Sequence, residues 1–595
     1  MNQHGPLIGL AGTTFRLWAP AAKTVELVLD RPLPMPSKAP GWYALTLPAA
    51  RAGIRYKFRI DGEIDVPDPA SAFQPDDVGG PSEVIDHGAY AWSNPDWRGR
   101  PWVDAAILEL HVGTFTPEGT FRAAIDKLDH VAQAGFTAIE LMPVADFAGS
   151  RNWGYDGVLL YAPDSAYGRP DDLRALVDAA HRRGLMVLLD VVYNHFGPEG
   201  NYLGRYAPQF FTAGATPWGQ AIDYRRAEVR AYAIGNALHW LRHYRFDGLR
   251  LDAVHAIAER GEPDLLDELS RAAGKLATET GRAVHLVLEN DDNNAHLLDP
   301  RTDPPRGRYR AQWNDDYHHA WHVLLTGETH GYYGDYAQAP LDRIVRALSS
   351  GFAYQGEPSA HRDGKPRGEP SAGLPPTAFV DFLQNHDQIG NRALGDRLES
   401  QVGVPAMEAA LAVMLLAPQP PLMFMGEEWG SLRPFPFFCD FKGALADAVR
   451  KGRREEFKSA YQKLGDDIPD PLDERTFRSA TLDWEECGRE TGRRRLGLVR
   501  ELLTLRHDRV VPLLADLGFD GGTCRGTVIT AAWRTPDGRR LLLLANLSDA
   551  AAPRRADHRG GAPLWGGEPA PTLPPWSVFW SLAAPGRRPP GRRPP

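Results

Sequence analysis

Cysteine is scarce in this chain, with three among 595 residues, Cys439, Cys487 and Cys524. An odd number at wide spacing, without a CxxC pair or a histidine cluster beside it, gives neither a disulfide framework nor a structural zinc motif. Excess positive charge is also missing: 67 Lys and Arg stand against 76 Asp and Glu, a formal net charge of -9. Without a basic stripe, nucleic acid and anionic membranes are not expected partners. No apolar run is long enough to span a bilayer, and the start, MNQHGPLIGLAGTTF, has neither a cationic n-region nor an apolar h-region. These absences lead to the expectation of a cytoplasmic, reduced protein. The rest of the composition, 43% hydrophobic and 24% charged, is that of an ordinary globular chain long enough for several domains.

Residues 1–98 are strand-like. FRLWAPAAKTVELVL, GWYALTLP and GIRYKFRIDG are short β-rich runs separated by Pro, Gly and Asp, the texture of a small β-sandwich. Residues 99–508 alternate apolar strand-like runs with amphipathic helical ones, and eight strands can be counted: AAILELHVG, FTAIELMPV, LMVLLDVVYNH, FDGLRLDAVHAI, AVHLVLEN, a weaker run near YRAQWND, TAFVDFLQNHD and PPLMFMGEEWG. Eight such repeats predict a (β/α)8 TIM barrel, with a loop insertion after the third strand at about 196–225. The sixth unit is the least defined, since Trp313 to Asp316 reads equally as loop. After the helical RRLGLVRELLTLRHD, residues 509–584 return to β texture, and Asp537-Gly538 between apolar runs marks a hairpin in a C-terminal β-sheet domain. Residues 585–595, ending PGRRPPGRRPP, can bury little and are expected to be disordered.

The fourth strand poses a physical problem, because Arg250 and Asp252 share one parity of an otherwise apolar run. In a barrel that parity points inward, toward the C-terminal mouth where active sites form. Other strands end alike: Asp190, Asn194 and His195 on the third, Glu289 on the fifth, His386 and Asp387 on the seventh. A single polar strand end commonly caps a helix or pairs with a neighbour. Four carboxylates, two histidines and an arginine at the ends of four strands are costly to gather unless they perform chemistry. Such a set suits glycoside hydrolysis, which needs one carboxylate as nucleophile and one carboxylic acid to protonate the departing oxygen. Arg250 would hold Asp252 ionised. Glu289 has no basic neighbour in the sequence and would face other carboxylates, so it is expected to keep its proton.

At these residues the chain resembles the α-amylase superfamily, whose four signature regions match DVVYNH, GLRLDAVH, the Glu after HLVL, and QNHD in order. The resemblance implies Asp252 as nucleophile, Glu289 as general acid/base, Asp387 as stabiliser of an oxocarbenium-like transition state, and retention of the α configuration. It further implies that Asp190 supports Arg250, that Arg250 orients Asp252, that His195 and His386 bind hydroxyls of the sugar before the cut, and that Tyr155 is that sugar's platform. His255, which closes the second signature, is placed with the substrate-binding residues. Within the superfamily, RNWGYDGVLLYAP, NHFGPEGNYL, WNDDYHHAWHVLLTGE, FLQNHDQIGNRALGDRL and FMGEEWG resemble the trehalohydrolase family. Those enzymes cut the α-1,4 bond next to the terminal trehalose of maltooligosyltrehalose, releasing trehalose and a maltooligosaccharide, and a maltooligosyltrehalose synthase is their pathway neighbour. Two departures stand out. Asn290 follows Glu289 where many relatives carry an acidic residue, and Asn194, which matches a calcium ligand in many α-amylases, lacks accompanying aspartates after His195. No metal or cofactor is therefore expected, and Asn194 is expected to make local hydrogen bonds.

A trehalose end is non-reducing and bent, so its recognition should lie in loops beyond the scissile bond. The polar and aromatic segments GPEGNYL, TPWGQ and WNDDYHH nominate Glu199, Tyr202, Trp218 and Asp315. His318, His319, Trp321 and His322 fall on a predicted helix and are expected to pack rather than bind metal. KGRREEF, from Lys451, reads as a solvated charge run. The competing readings are a glycogen branching or debranching enzyme of the same superfamily, and a catalytically silent glucan-binding protein.

Overall fold

The computed structural model describes residues 4–216, 219–257, 260–299, 309–458, 462, 465–554 and 560–585. The eight apolar runs form parallel strands, closed in sequence order into a barrel: β1 Ile107–Leu110, β2 Ala138–Leu141, β3 Met186–Val191, β4 Gly248–Leu251, β5 His285–Leu288, β6 Ala311–Trp313, β7 Phe379–Phe382 and β8 Pro421–Phe424. Every residue of these strands is buried, as expected where helices cover the outer face and side chains fill the inner one. The helices that follow include α1 Leu128–Ala134, α2 Pro170–Arg182, α3 Ala227–His243, α4 Leu265–Thr280, α5 Asp315–Thr326, α6 Pro340–Ser350, α7 Val404–Leu416, α8 Gly443–Glu456 and α9 Glu490–Leu505. Their ends carry ordinary signals: Asp264 caps α4 by accepting from the backbone of Leu266 and Asp267, and α4 and α5 stop at left-handed Gly281 and Gly327. The poorly defined sixth unit is a three-residue strand, and its helix begins at Asp315.

Inside the barrel, residues of one parity stack in layers. Ile107, Ala138, Met186, Leu188, Val287, Ala311, Trp313, Val380, Phe382 and Leu422 form the closed apolar floor, with Trp102 at its base donating Nε1–H to the Thr377 carbonyl at 2.8 Å. Continuing toward the mouth at the same parity come Glu109 on β1, Glu140 on β2, Asp190 on β3 and Arg250 on β4. Glu109 is in register with Glu140, and Asp190 with Arg250. Charged groups thus begin where the apolar filling ends.

Ahead of the barrel, two antiparallel sheets pack as a sandwich, one around Gly12–Trp18 and Trp42–Leu47, the other around Val25–Val28 and Arg55–Ile60. The sandwich docks through Tyr232 of α3, which donates its hydroxyl to the Pro69 carbonyl at 2.6 Å. After α9, a five-stranded antiparallel sheet contains the expected hairpin, Val528–Arg534 with Arg540–Asn546 and Gly538 at φ +92°. Trp580 of this sheet donates to the Ala412 carbonyl of α7 at 2.9 Å. The expected Pro/Arg tail lies outside the described residues except for Pro585. The three cysteines are free thiols, and among the described residues no helix is long and apolar enough to cross a membrane.

Gly248 faces inward on β4, and a Cβ there would stand 2.2 Å from the His285 carbonyl oxygen and 2.7 Å from Leu188 Cδ2. Overpacking of this kind costs about 1–3 kcal/mol. Gly248→Ala is expected to lower the melting temperature in calorimetry, whereas Gly→Ala at exposed Gly204, where a Cβ meets nothing, leaves it unchanged.

Candidate active site

Arg250 is the centre of the polar layer. Its side chain has no solvent exposure, and its guanidinium lies 4.1 Å from the centre of the Trp313 ring. Nη1 donates to Asp190 Oδ2 at 2.7 Å and to Asp252 Oδ1 at 2.9 Å, while Nη2 forms an ion pair with Glu289 Oε2 at 2.8 Å. Glu289, which has no basic neighbour in the sequence, thus meets a cation reached across the strands.

The carboxylates differ in access. The Asp190 side chain is 2% exposed, Asp252 12%, Glu289 18% and Asp387 36%, so the last three open to the mouth while Asp190 stays beneath them. Asp190 is pushed up to about 7, because its burial outweighs the nearby guanidinium. Asp387 is also raised, first by burial, with His386 opposing.

Asn194 has a larger part than local bonding in its own loop. Its Nδ2 donates to Asp252 Oδ2 at 2.6 Å and to the Asp252 carbonyl at 3.1 Å. Arg250 and Asn194 therefore hold the two oxygens of Asp252 separately. Ala253, next in sequence, sits at φ +39°, ψ +51°, a left-handed conformation that costs a non-glycine residue about 1–2 kcal/mol. Its N–H donates to Glu289 Oε2 at 2.8 Å, which gives this strained turn a local purpose.

Across the cleft, Tyr155 donates its hydroxyl to Asp190 Oδ2 at 2.6 Å and stands 2.8 Å from His386 Nε2, its ring stacked on the imidazole. His386 is raised to about 9: burial lowers it, but the charges of Asp387 and Glu109 outweigh that effect. His195 Nε2 is 2.9 Å from the Tyr155 carbonyl, and burial lowers its pKa. His255 is exposed at the rim, where its Nδ1 accepts from the Asp291 backbone at 3.2 Å.

Tyr155, His195, Asp252, Ala253, His255, Glu289 and Asp387 line a cleft of about 570 Å³, while Asp190, Asn194, Arg250 and His386 are not among its lining residues. One wall carries Tyr155, Trp153, Phe437 and, from α8, Arg453 and Glu456. The other, beyond Glu289, carries Asp291, Asp315, His319, Tyr332, His361, Arg362 and Arg367. Of the loop residues nominated for substrate, Asp315 reaches the cleft, where burial and then Glu289 and Asp291 hold its carboxyl well above the usual range. Glu199 and Tyr202 do not. Their loop turns toward the N-terminal sandwich, with Glu199 exposed and Tyr202 beside Pro67 and Pro69. Trp218 lies outside the described residues.

Two further expectations change. KGRREEF is not wholly a solvated run, since Arg453 lies 4.8 Å over the Phe437 ring, donates to the Gly390 carbonyl at 3.0 Å and joins Glu456 in lining the cleft. On α5, His318 packs between the Leu383 carbonyl at 2.6 Å and the Tyr333 hydroxyl at 3.0 Å, and His322 pairs with Glu328 at 2.8 Å, but His319 faces the cleft. Among the described residues, no three potential ligands are grouped to hold a metal.

Reading strand ends missed Arg362 and Arg367, which lie on a small hairpin between β6 and β7, Arg362 in its connecting turn and Arg367 on its second strand. Arg367 donates to Asp291 Oδ1 at 2.7 Å, and Arg362 pairs with Asp291 and, at 2.7 Å, with Asp292. Together they hold Asp291 below its ordinary range against the effect of burial. The acidic side chain absent directly after Glu289 is supplied two positions along, pinned by two arginines. Nothing in LENDDNN foretold those partners, 71 and 76 residues away.

Arg250→Lys is expected to reduce glucan hydrolysis about a hundredfold or more while leaving circular dichroism unchanged, because one ammonium cannot span three carboxylates. The ion pair at His386 contributes stability fully below the imidazole's ordinary 6.5, a contribution lost as pH rises through about 9. Melting temperatures of the wild type and His386→Gln should therefore converge between those values.

The α-amylase catalytic domain model matches residues 88–209, the carbohydrate-binding module 48 (isoamylase N-terminal domain) model residues 2–72, and a domain of unknown function residues 517–580. The malto-oligosyltrehalose trehalohydrolase of Deinococcus radiodurans is 45% identical over 549 residues, covering 90% of this chain and 88% of that protein. Those of Mycobacterium tuberculosis and Saccharolobus solfataricus are 42% and 40% identical, covering 85% and 80% of this chain and 88% and 82% of theirs. A crystal structure of a candidate alpha amylase from Salmonella typhimurium superposes with a TM-score of 0.92 at 45% identity, over 98% of this chain and 100% of that one. A pullulanase from Paenibacillus barengoltzii, at 20% identity and a TM-score of 0.73 over 98% and 95% of the two chains, shares the fold. With this identity extending over nine-tenths of its length, the chain belongs to the malto-oligosyltrehalose trehalohydrolase family of α-amylase-type glycoside hydrolases.

Proposed function

We propose that this protein hydrolyses the α-1,4-glucosidic bond next to the terminal trehalose of maltooligosyltrehalose, with retention, releasing α,α-trehalose and a maltooligosaccharide. The observation that carries this reading is the placement of Asp252 and Glu289 on the two nitrogen ends of one buried guanidinium, with Asp387 also open to the same cleft. Two carboxyls held this closely suit a retaining mechanism, in which they stand about 5 Å apart.

In the first step an Asp252 oxygen attacks the anomeric carbon and the bond to the trehalose oxygen breaks, while Glu289 gives that oxygen its proton. Water, deprotonated by Glu289, then attacks the anomeric carbon of the glycosyl ester, freeing the maltooligosaccharide and Asp252. Asp387 stabilises the positive charge that develops on the sugar. Arg250 and Asn194 hold and aim the two oxygens of Asp252, with Asp190 beneath, and Tyr155, His195 and His386 hold the sugar before the cut.

The acid protonates the leaving group, so the wall beyond Glu289 receives trehalose, with Asp291, Asp315, Tyr332 and Arg362 as its polar and aromatic contacts. The opposite wall, with Trp153, Phe437 and Arg453, receives the glucan chain. His255 stands at the rim of the trehalose side. The reading also places the enzyme in the cytoplasm, in trehalose biosynthesis, beside a synthase that builds the trehalose end.

Maltotriosyltrehalose should yield trehalose and maltotriose, with maltopentaose cut far more slowly, as measured by chromatography. Equal cutting of both would make the protein a general α-glucanase, and new branches would make it a transferase. Asp252→Asn should lower kcat about 10⁴-fold or more. Arg362→Ala should lower the preference for the trehalose-ended substrate about tenfold, the scale of one hydrogen bond to a charged group.

A further inference from the structure

The glycosidase mechanism leaves two buried carboxyls of the polar layer, Glu109 and Glu140, without a role. Glu109 ends β1, is 1% exposed, and is in register with Glu140. Both of its oxygens are directed at one residue: Oε1 meets His386 Nδ1, and Oε2 accepts the His386 backbone N–H at 3.2 Å. The other ring nitrogen, Nε2, faces the site, 2.8 Å from the Tyr155 hydroxyl and 3.4 Å from Asp387 Oδ1. Which nitrogen of a histidine carries a proton is set by the bond the other one makes. A carboxylate can only accept, so Nδ1 must be the donor.

We propose that Glu109 is a positioning residue for the hydrolysis inferred above: it fixes His386 with a protonated Nδ1 turned away from the mouth, so that Nε2 is presented to Tyr155, Asp387 and the sugar before the cut. The logic parallels a buried aspartate that orients a catalytic histidine and stabilises its imidazolium, the form His386 holds below about 9. Other residues complete the setting. Tyr155 stacks on one face of the imidazole, Trp153 meets its ring edge-on and Trp313 lies tilted at 6.1 Å. The charged and titratable groups facing His386 are Glu109 and Glu140 from β1 and β2, His111 following β1, Asp190 and Arg250 from β3 and β4, Tyr155, and Asp387 beside it. His111 is lowered to about 4 and Glu140 is raised well above the carboxylate range, both chiefly by burial. Of these groups, Glu109 and Asp387 are the carboxyls that meet the ring nitrogens.

The test combines kinetics with NMR of histidine labelled at Cε1, the His386 signal being assigned by its loss in His386→Gln. In Glu109→Gln, kcat on maltotriosyltrehalose should fall about ten- to hundredfold, the scale of removing a group that orients a functional ring. The His386 titration should move at least one pH unit lower. Glu109→Asp, which keeps the charge with a shorter reach, should retain a larger part of both. An unchanged His386 titration or an unchanged kcat in Glu109→Gln would overturn the proposal. If that variant does not fold, a wild-type His386 that titrates at or below the ordinary imidazole value would overturn it equally. A wild type that cuts maltopentaose and maltotriosyltrehalose alike would refute the substrate reading, while the NMR result would still decide the role of Glu109.

Discussion

Placing a guanidinium inside a barrel, with no solvent and an indole 4.1 Å away, is unfavourable unless anions surround it, and this requirement organises the site of the present chain. Arg250 reaches Asp190 and Glu289 from the neighbouring strands β3 and β5, and Asp252 from the end of its own strand. Each carboxylate in turn would be poorly tolerated at its depth without the cation. Removing any one partner leaves an uncompensated charge for the others, so the group behaves as a unit. The barrel supplies the geometry because the inward parity of β3 and β4 places Asp190 and Arg250 in register.

Around that unit lie supports of a different kind. Asn194 takes the oxygen of Asp252 that Arg250 leaves, and the left-handed turn at Ala253 points a backbone N–H at Glu289. On the far side, Tyr155 joins Asp190 to His386, and Glu109 holds His386 from below. The result is a nearly continuous polar layer above an apolar floor. Substrate discrimination belongs to the walls, which are built from the loop after Glu289, the hairpin bearing Arg362 and Arg367, and the cleft-facing side of α8.

Much of this was legible in the sequence, for a physical reason. A strand buried on both faces is mostly apolar, so charges clustered at a strand end stand out, and Arg250, Asp252, Glu289, Asp190 and Asp387 were all visible that way. Partnerships across strands were not. Glu289 looked unpaired because its cation is 39 positions earlier, and Glu109 and Glu140 read as ordinary letters in AAILELHVG and FTAIELMPV. Loop residues were hardest, since a loop's direction depends on what it packs against. Tyr202 went to the N-terminal sandwich, whereas Arg453 and Glu456, in a segment that looked merely solvated, came to the cleft.

The central claim is that Asp252, held by Arg250 and Asn194, is the atom donor to a covalent glycosyl-enzyme, with Glu289 needed to release it. It is tested most directly by treating Glu289→Gln with α-maltotriosyl fluoride, whose leaving group needs no acid, and mapping the quenched protein by mass spectrometry. A maltotriosyl ester on the peptide containing Asp252 is the predicted result. Fluoride release with the sugar on another residue, or with no adduct at all, would contradict the account.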